Sequence, residues 1–302
     1  MERAQSTRAW RGMASILAAG TLWGTVGVTT QTLYSFTGTN AFSISAIRLL
    51  IAGPLLALVC WLRLGRGMFN IRRRDLGLML LIGSLIAIDQ LLYFLAIAQA
   101  GVALATLITI CGAPVFVALI TVFYNRQRIA GPTLLALGMG VVGTGLLVGV
   151  NPAGAAPTAS LIGVGLALLA AFVYALILFC GRFLAGAYHP LQVNSIGFLM
   201  GAALLTVIAS GTGFILTYPA RGWAMLVYLG VIPTALGYGL FLVGMRSTQT
   251  TAASILVLAE PLTATLLAVL LLGEHLSPLG IGGAGLLVGA MLLLSREPEP
   301  TG

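Results

Sequence analysis

Charge is what this sequence has least of. Of its 302 residues 15 are basic and 7 acidic, 7% of the chain, against about a quarter in a globular domain that folds in water. Lysine is missing altogether, since every basic residue is an arginine. A Walker-type phosphate loop and a Schiff-base cofactor both need lysine, so an ATP-driven motor and a retinal or pyridoxal protein are excluded. Cysteine is scarce: Cys60, Cys111 and Cys180 each fall inside an apolar run, which excludes a disulfide framework and a four-ligand metal site. These are expected to be packed or lipid-facing thiols. No cofactor, metal or nucleic-acid partner is expected.

What the chain has in abundance is apolar length. Hydrophobic residues make up 59% of it and the mean hydropathy is +1.06. Runs long enough to cross a bilayer occur at 12–33, 41–62, 76–98, 102–124 and 131–150, then at 161–181, 192–215, 223–245, 251–272 and 279–294. Two of them nearly fuse at Ala100-Gly101. The runs lack the period-two alternation of a membrane barrel, so the expected fold is all-α, with ten transmembrane helices. The first run is too long for a secretory signal core and is read as a helix. The uncharged, Ala- and Pro-rich break at 151–160 divides the chain into halves 1–150 and 151–302.

Arginines set the orientation. Thirteen of the 15 fall in the amino-terminal arm, in alternate loops or in the carboxyl tail, all on the side that holds both termini. By the positive-inside rule that side is the cytoplasm. Arg221 lies in an opposite loop and Arg48 inside the second span.

Five helices per half is an odd number, so homologous halves must be inserted upside down relative to each other. Pairing Pro114 with Pro261 brings the hydropathy of the fourth and ninth spans into register. Inverted repeats are the usual build of secondary transporters, with the substrate held near the midplane between them. A central cavity is therefore expected, lined by helices one, three, four, six, eight and nine.

Within the spans, away from their ends, Arg48, Asp89 and Glu260 are the ionisable residues. A charge at a helix centre costs about 2.5 to 3.5 kcal/mol on insertion scales, so each needs a cavity or a partner. Arg48 and Asp89 lie at similar depths on consecutive antiparallel spans and are expected to neutralise one another; a structural pair and a substrate-binding role both stay open. Trp23, Tyr93, Tyr174 and Tyr238 sit inside spans, where their polar tips need partners, and Tyr93 shares a helical face with Asp89. All seven are candidate substrate-binding residues. Pro114, Pro233 and Pro261, with Pro54, are candidate hinges or kinks. Gly145 and Gly149, like Gly285 and Gly289, form small-xxx-small faces for close packing.

The motif run Glu260-Pro261, Gly273-Glu274 and Ser277-Pro278, together with "LWGTVGV" in the first span and "ISAIRLLIAG" in the second, resembles the drug/metabolite transporter superfamily. Its ten-helix EamA-type branch is the most similar, and within it the YddG-type exporters of aromatic and other amino acids. The resemblance covers nearly the whole chain. It implies a bacterial inner-membrane exporter of small metabolites working by alternating access, with helices five and ten peripheral. The first half departs from the motif: Ala113 precedes Pro114, and Arg126-Gln127 stands where the second half has Gly273-Glu274. Neutral amino acids are the expected substrate, organic cations the alternative, and protons the coupling ion to test. The protein is expected to work as a monomer or weak homodimer. Rival classes are an intramembrane enzyme, for which no nucleophile–base set can be assembled, and a passive channel, which counterflow would distinguish.

Overall fold

A computed structural model describes residues 2–124, 126, 131–149, 161–248 and 250–294. The linker 151–160, Val150, Arg128 and Arg296 lie outside the described residues. Among those described, all regular structure is helical. The helices are α1 (Glu2–Phe36), α2 (Ala41–Leu64, continued by a 3-10 turn at Gly65–Phe69), α3 (Arg73–Ala100), α4 (Val102–Tyr124), α5 (Gly131–Gly149), α6 (Leu161–Gly181) and α7 (Pro190–Thr212). Next, α8 runs through Ala220–Leu229, a π-helical stretch Gly230–Leu236 and Gly237–Met245; α9 comprises Thr250–Val257 and Ala259–Leu272; α10 is Pro278–Leu294. Seven of these are long and apolar enough to cross a membrane by length and composition, and α5, the second part of α9 and α10 are shorter apolar helices. Outward-facing residues such as Leu134, Val141, Leu262, Leu266 and Leu270 are exposed, as a lipid-covered surface requires.

Helix ends are set by local chemistry. Asn40 caps α2 by accepting from the Ser43 amide at 2.8 Å. His189 caps α7 through Nδ1, and Gly213 at φ 96° ends it at Thr212, so this helix starts and stops earlier than its hydropathy suggests. The near-fusion at Ala100-Gly101 resolves into a sharp corner with Gly101 at φ 84°. There the Glu274 carboxylate accepts from the amides of Val102 and Ala103 at 2.7 and 2.9 Å, satisfying two of the orphan donors of α4 and placing negative charge at the positive end of its dipole.

Two prolines interrupt their helices and two do not. Pro261 has no N–H for the carbonyl of Val257, and α9 breaks there rather than running unbroken from 251 to 272. Pro233 likewise frees the carbonyl of Leu229. Thr234 Oγ1 donates to it from five residues on, at 2.7 Å, within the π stretch. Pro54 and Pro114 sit inside continuous helices.

The halves interlock. Helix α2 packs on α7, α5 on α10 and α4 on α9; α3 on α6 mirrors α8 on α1, and α4 on α6 mirrors α9 on α1. That is the pairing expected of a two-fold axis in the membrane plane relating α1–α5 to α6–α10. Arg126 after α4 and Gly273 after α9 occupy corresponding places and share the left-handed backbone, φ 52° and 67°. The close face between α5 and α10 is the expected one only in part: a Cβ at Gly289 would meet Met139 at 2.7 Å, as expected, but the other close approach is at Gly143, where a Cβ would meet the Gly283 carbonyl at 2.8 Å, while Gly145 and Gly285 face open space.

The two ends of the bundle differ. At the arginine-poor end, Leu33, Ile44, Phe94, Ile97, Val102 and Leu226 form a dense core. Three hydrogen bonds fasten the α1–α2 turn to the α7–α8 segment: Thr39 Oγ1 with Tyr218 Oη at 2.7 Å, Asn40 Nδ2 to Gly213 O at 3.1 Å, and Ile215 N to Ser43 Oγ at 2.9 Å. Burial pushes the Tyr218 phenol above its ordinary range, which keeps it a neutral hydrogen-bonding group. At the arginine-rich end Tyr188 Oη donates to Asp75 at 2.6 Å and Gln192 donates to Met68 O at 2.9 Å. A cavity opens beside these loops.

Candidate substrate cavity

The cavity, of about 590 Å³, runs from the middle of the bundle to the exposed loop residues Ala185 and Gly186 at the arginine-rich end. Trp23, Arg48, Asp89, Tyr93, Tyr174, Tyr238 and Glu260 all line it, so the structure brings the seven sequence-derived candidates together. Among the described residues, helices α5 and α10 contribute nothing to the lining. Helices α2 and α7, absent from the expected set, contribute Arg48 on one and Val193, Asn194 and Phe198 on the other.

Close packing of α1 on α9 places Trp23 and Glu260 on the same wall. A Cβ at Gly24 would lie 2.6 Å from Thr263 Cβ and 2.7 Å from Glu260 O, so glycine is what lets the two backbones approach. Glu260 lies in the first turn of the second half of α9, where the helix dipole favours negative charge. It has no hydrogen-bond partner among the described residues. Trp23, Tyr238, Phe241 and Phe198 form an aromatic wall, with centroid separations of 5.2 Å (Trp23–Tyr238), 5.4 Å (Trp23–Phe241) and 5.0 Å (Phe198–Tyr238). The Trp23 Nε1 donor is buried without a partner.

The expected ion pair is not formed. Arg48 donates through Nε to Thr234 Oγ1 at 2.7 Å and through Nη1 to Gln90 Oε1 at 2.6 Å. Gln90 Nε2 in turn donates to Asp89 Oδ2 at 3.2 Å. A neutral amide thus separates the two charges, and Asp89 Oδ1 is left buried and unpartnered. The reason is positional: Gln90 and the π-turned Thr234 both reach the guanidinium, whose central carbon lies over the Phe94 ring, 5.6 Å from its centroid. Tyr93 Oη shares a hydrogen bond with Thr106 at 2.8 Å, tying α3 to α4.

The cavity therefore offers two carboxylates, a guanidinium already engaged and a wall of rings. It suits a small molecule with a cationic group and an apolar body, and no cluster of His, Cys, Asp and Glu that could hold a metal occurs among the described residues. Gln90, Thr234, Phe198 and Phe241 were not singled out from sequence. An amide beside Asp89 in an apolar span was a usable signal for Gln90; the rings resemble any packed aromatic.

A polytopic helical bundle with a largely apolar cavity, bearing a few charged groups and open at one end, is an architecture suited to a membrane carrier. The EamA-like transporter family matches twice, over residues 10–149 and 161–296, and the chain belongs to that family. It is 30% identical to an inner membrane transporter named YicL, uncharacterized, of Salmonella typhimurium (strain LT2), over 97% of each chain. It is 29% identical to the uncharacterized transporter YwfM of Bacillus subtilis (strain 168), over 94% of this chain and 93% of that one. A crystal structure with 22% identity superposes with a TM-score of 0.63 over 95% of this chain and 96% of that one, a likeness of fold. The protein is a multi-pass membrane transporter.

Proposed function

We propose that this transporter exports small metabolites bearing a protonated amine, neutral amino acids foremost, by alternating access between two inverted halves, 1–150 and 151–302. The observation that carries the reading is the pair of carboxylates without a cationic partner among the described residues, Asp89 and Glu260, on one cavity beside the Trp23–Tyr238–Phe241 wall. An ammonium there gains charge-assisted hydrogen bonds, and an apolar side chain gains ring contact. The arginine-rich end is assigned to the cytoplasm of a bacterial inner membrane, with both termini inside, so the cavity is open to its cargo. Lipid is the surrounding partner and protons the coupling ion proposed. Organic cations lacking a carboxylate form a second reading, favoured by the engagement of Arg48 with Thr234 and Gln90, which leaves it little to offer an anion.

Proteoliposomes loaded with unlabelled L-phenylalanine, L-threonine or methyl viologen and assayed for counterflow, with and without a proton gradient, test this. Amino-acid counterflow supports the main reading. Methyl viologen exchange that no amino acid competes for supports the second, and equilibration without trans-stimulation means a channel.

A further inference from the structure

Arg48 and Asp89 are opposite in charge, 5% and 8% exposed, and carried by consecutive antiparallel helices, yet they do not meet. Two restraints keep them apart. The first is Gln90, whose amide oxygen accepts a hydrogen bond from the guanidinium while its nitrogen donates to one oxygen of Asp89. The second is Thr234, which accepts from Arg48 Nε and donates its own O–H to the Leu229 carbonyl that Pro233 left free. Direct pairing favours a bidentate fork that occupies both carboxylate oxygens. Here one oxygen, Oδ1, remains buried and unpartnered, on a residue that lines the cavity.

We infer that Gln90, assisted by Thr234, is a specificity-determining spacer: it holds Arg48 one amide away from Asp89, so that Asp89 keeps an unpaired carboxylate oxygen for the amine of the cargo. The inference rests on the amine-binding reading of the cavity. Glutamine suits the place because one face of its amide accepts from a guanidinium while the other donates to a carboxylate, without adding charge. A hydrocarbon side chain of similar length removes both bonds, and the flexible guanidinium then closes on Asp89.

Dicyclohexylcarbodiimide, which attacks carboxyl groups able to take up a proton and spares those locked in an ion pair, reads this without a known substrate. On purified full-length protein, with labelling at Asp89 resolved by mass spectrometry, the wild type is expected to label. A contacting opposite charge favours the ionised carboxyl by a factor of ten or more, so Gln90→Leu is expected to label roughly tenfold less at Asp89. The double variant Gln90→Leu/Arg48→Gln is expected to regain wild-type labelling, which a merely structural role for Gln90 does not produce. Gln90→Met carries the same test should Gln90→Leu fail to give a monodisperse protein. Unchanged labelling in the folded Gln90 variant, no recovery in the double variant, or an unlabelled wild-type Asp89 overturns the spacer. Failure of amine-bearing cargo to show counterflow instead overturns the binding reading, and that result comes from a separate assay.

Discussion

Helices α4 and α9 occupy corresponding places in the two halves and carry matching prolines, yet they are built for different work. Pro114 follows Ala113, which is fully buried, and α4 continues unbroken through both. Pro261 follows Glu260, α9 breaks at Leu258, and the carboxylate lines the cavity. Even their exits differ: the left-handed residue after α9 is Gly273, followed by the Glu274 that caps α4, whereas after α4 it is Arg126. A repeated backbone plan thus carries one unbroken helix and one broken helix, and a single acidic residue before the proline puts a carboxylate on the cavity from the broken one alone.

The sharpest way to break that contrast is to copy the acid across. Ala113→Glu places an unpartnered charge in packed surroundings at a cost of about 3 kcal/mol, and folded yield by fluorescence size-exclusion is expected to collapse. Next in size is Glu260→Gln, which keeps the shape of the side chain and removes its charge. Losing a charged hydrogen bond worth 1.5 to 3 kcal/mol is expected to raise KM for the transported amine about 10- to 100-fold, with the thermal midpoint in detergent little changed. A comparable loss of folded protein instead makes Glu260 a structural residue.

Glu274→Ala removes a cap that serves α4 from the other half, and a loss of about 1 kcal/mol is expected, read as a lower thermal midpoint. Smallest is Gly145→Ala. Its Cβ meets open space, so a change within about 0.5 kcal/mol is expected; a large one means that α5 packs against something other than α10 on that face.

Most of the fold was legible because a bilayer leaves a chain few options: backbone groups must be paired within each segment, and apolar runs of spanning length become helices. The ionisable candidates were legible for the same reason, since charge in hydrocarbon is too costly to be idle. What escaped was chemistry that costs little. Gln90 and Thr234 are neutral, and Thr234 owes its role to a π turn that no hydropathy pattern announces. Phe198 and Val193 on α7 face the cavity, yet from sequence they look like lipid-facing residues. The break in α9 and the continuity of α4 were not distinguishable from the prolines alone, since Pro114 and Pro261 carry the same signal with opposite results.

The π stretch in α8 has a further consequence, one of phase. A π turn is an α-helix carrying an extra residue, and each residue advances a helix by about 100°. Upstream of Gly230, α8 directs Leu226 and Leu229 into the core at the arginine-poor end; downstream, it directs Tyr238, Phe241 and Leu242 into the cavity. One strut thereby presents differently clocked faces at its two ends, a stopper at one and a lining at the other, and Thr234 sits where the clock is reset.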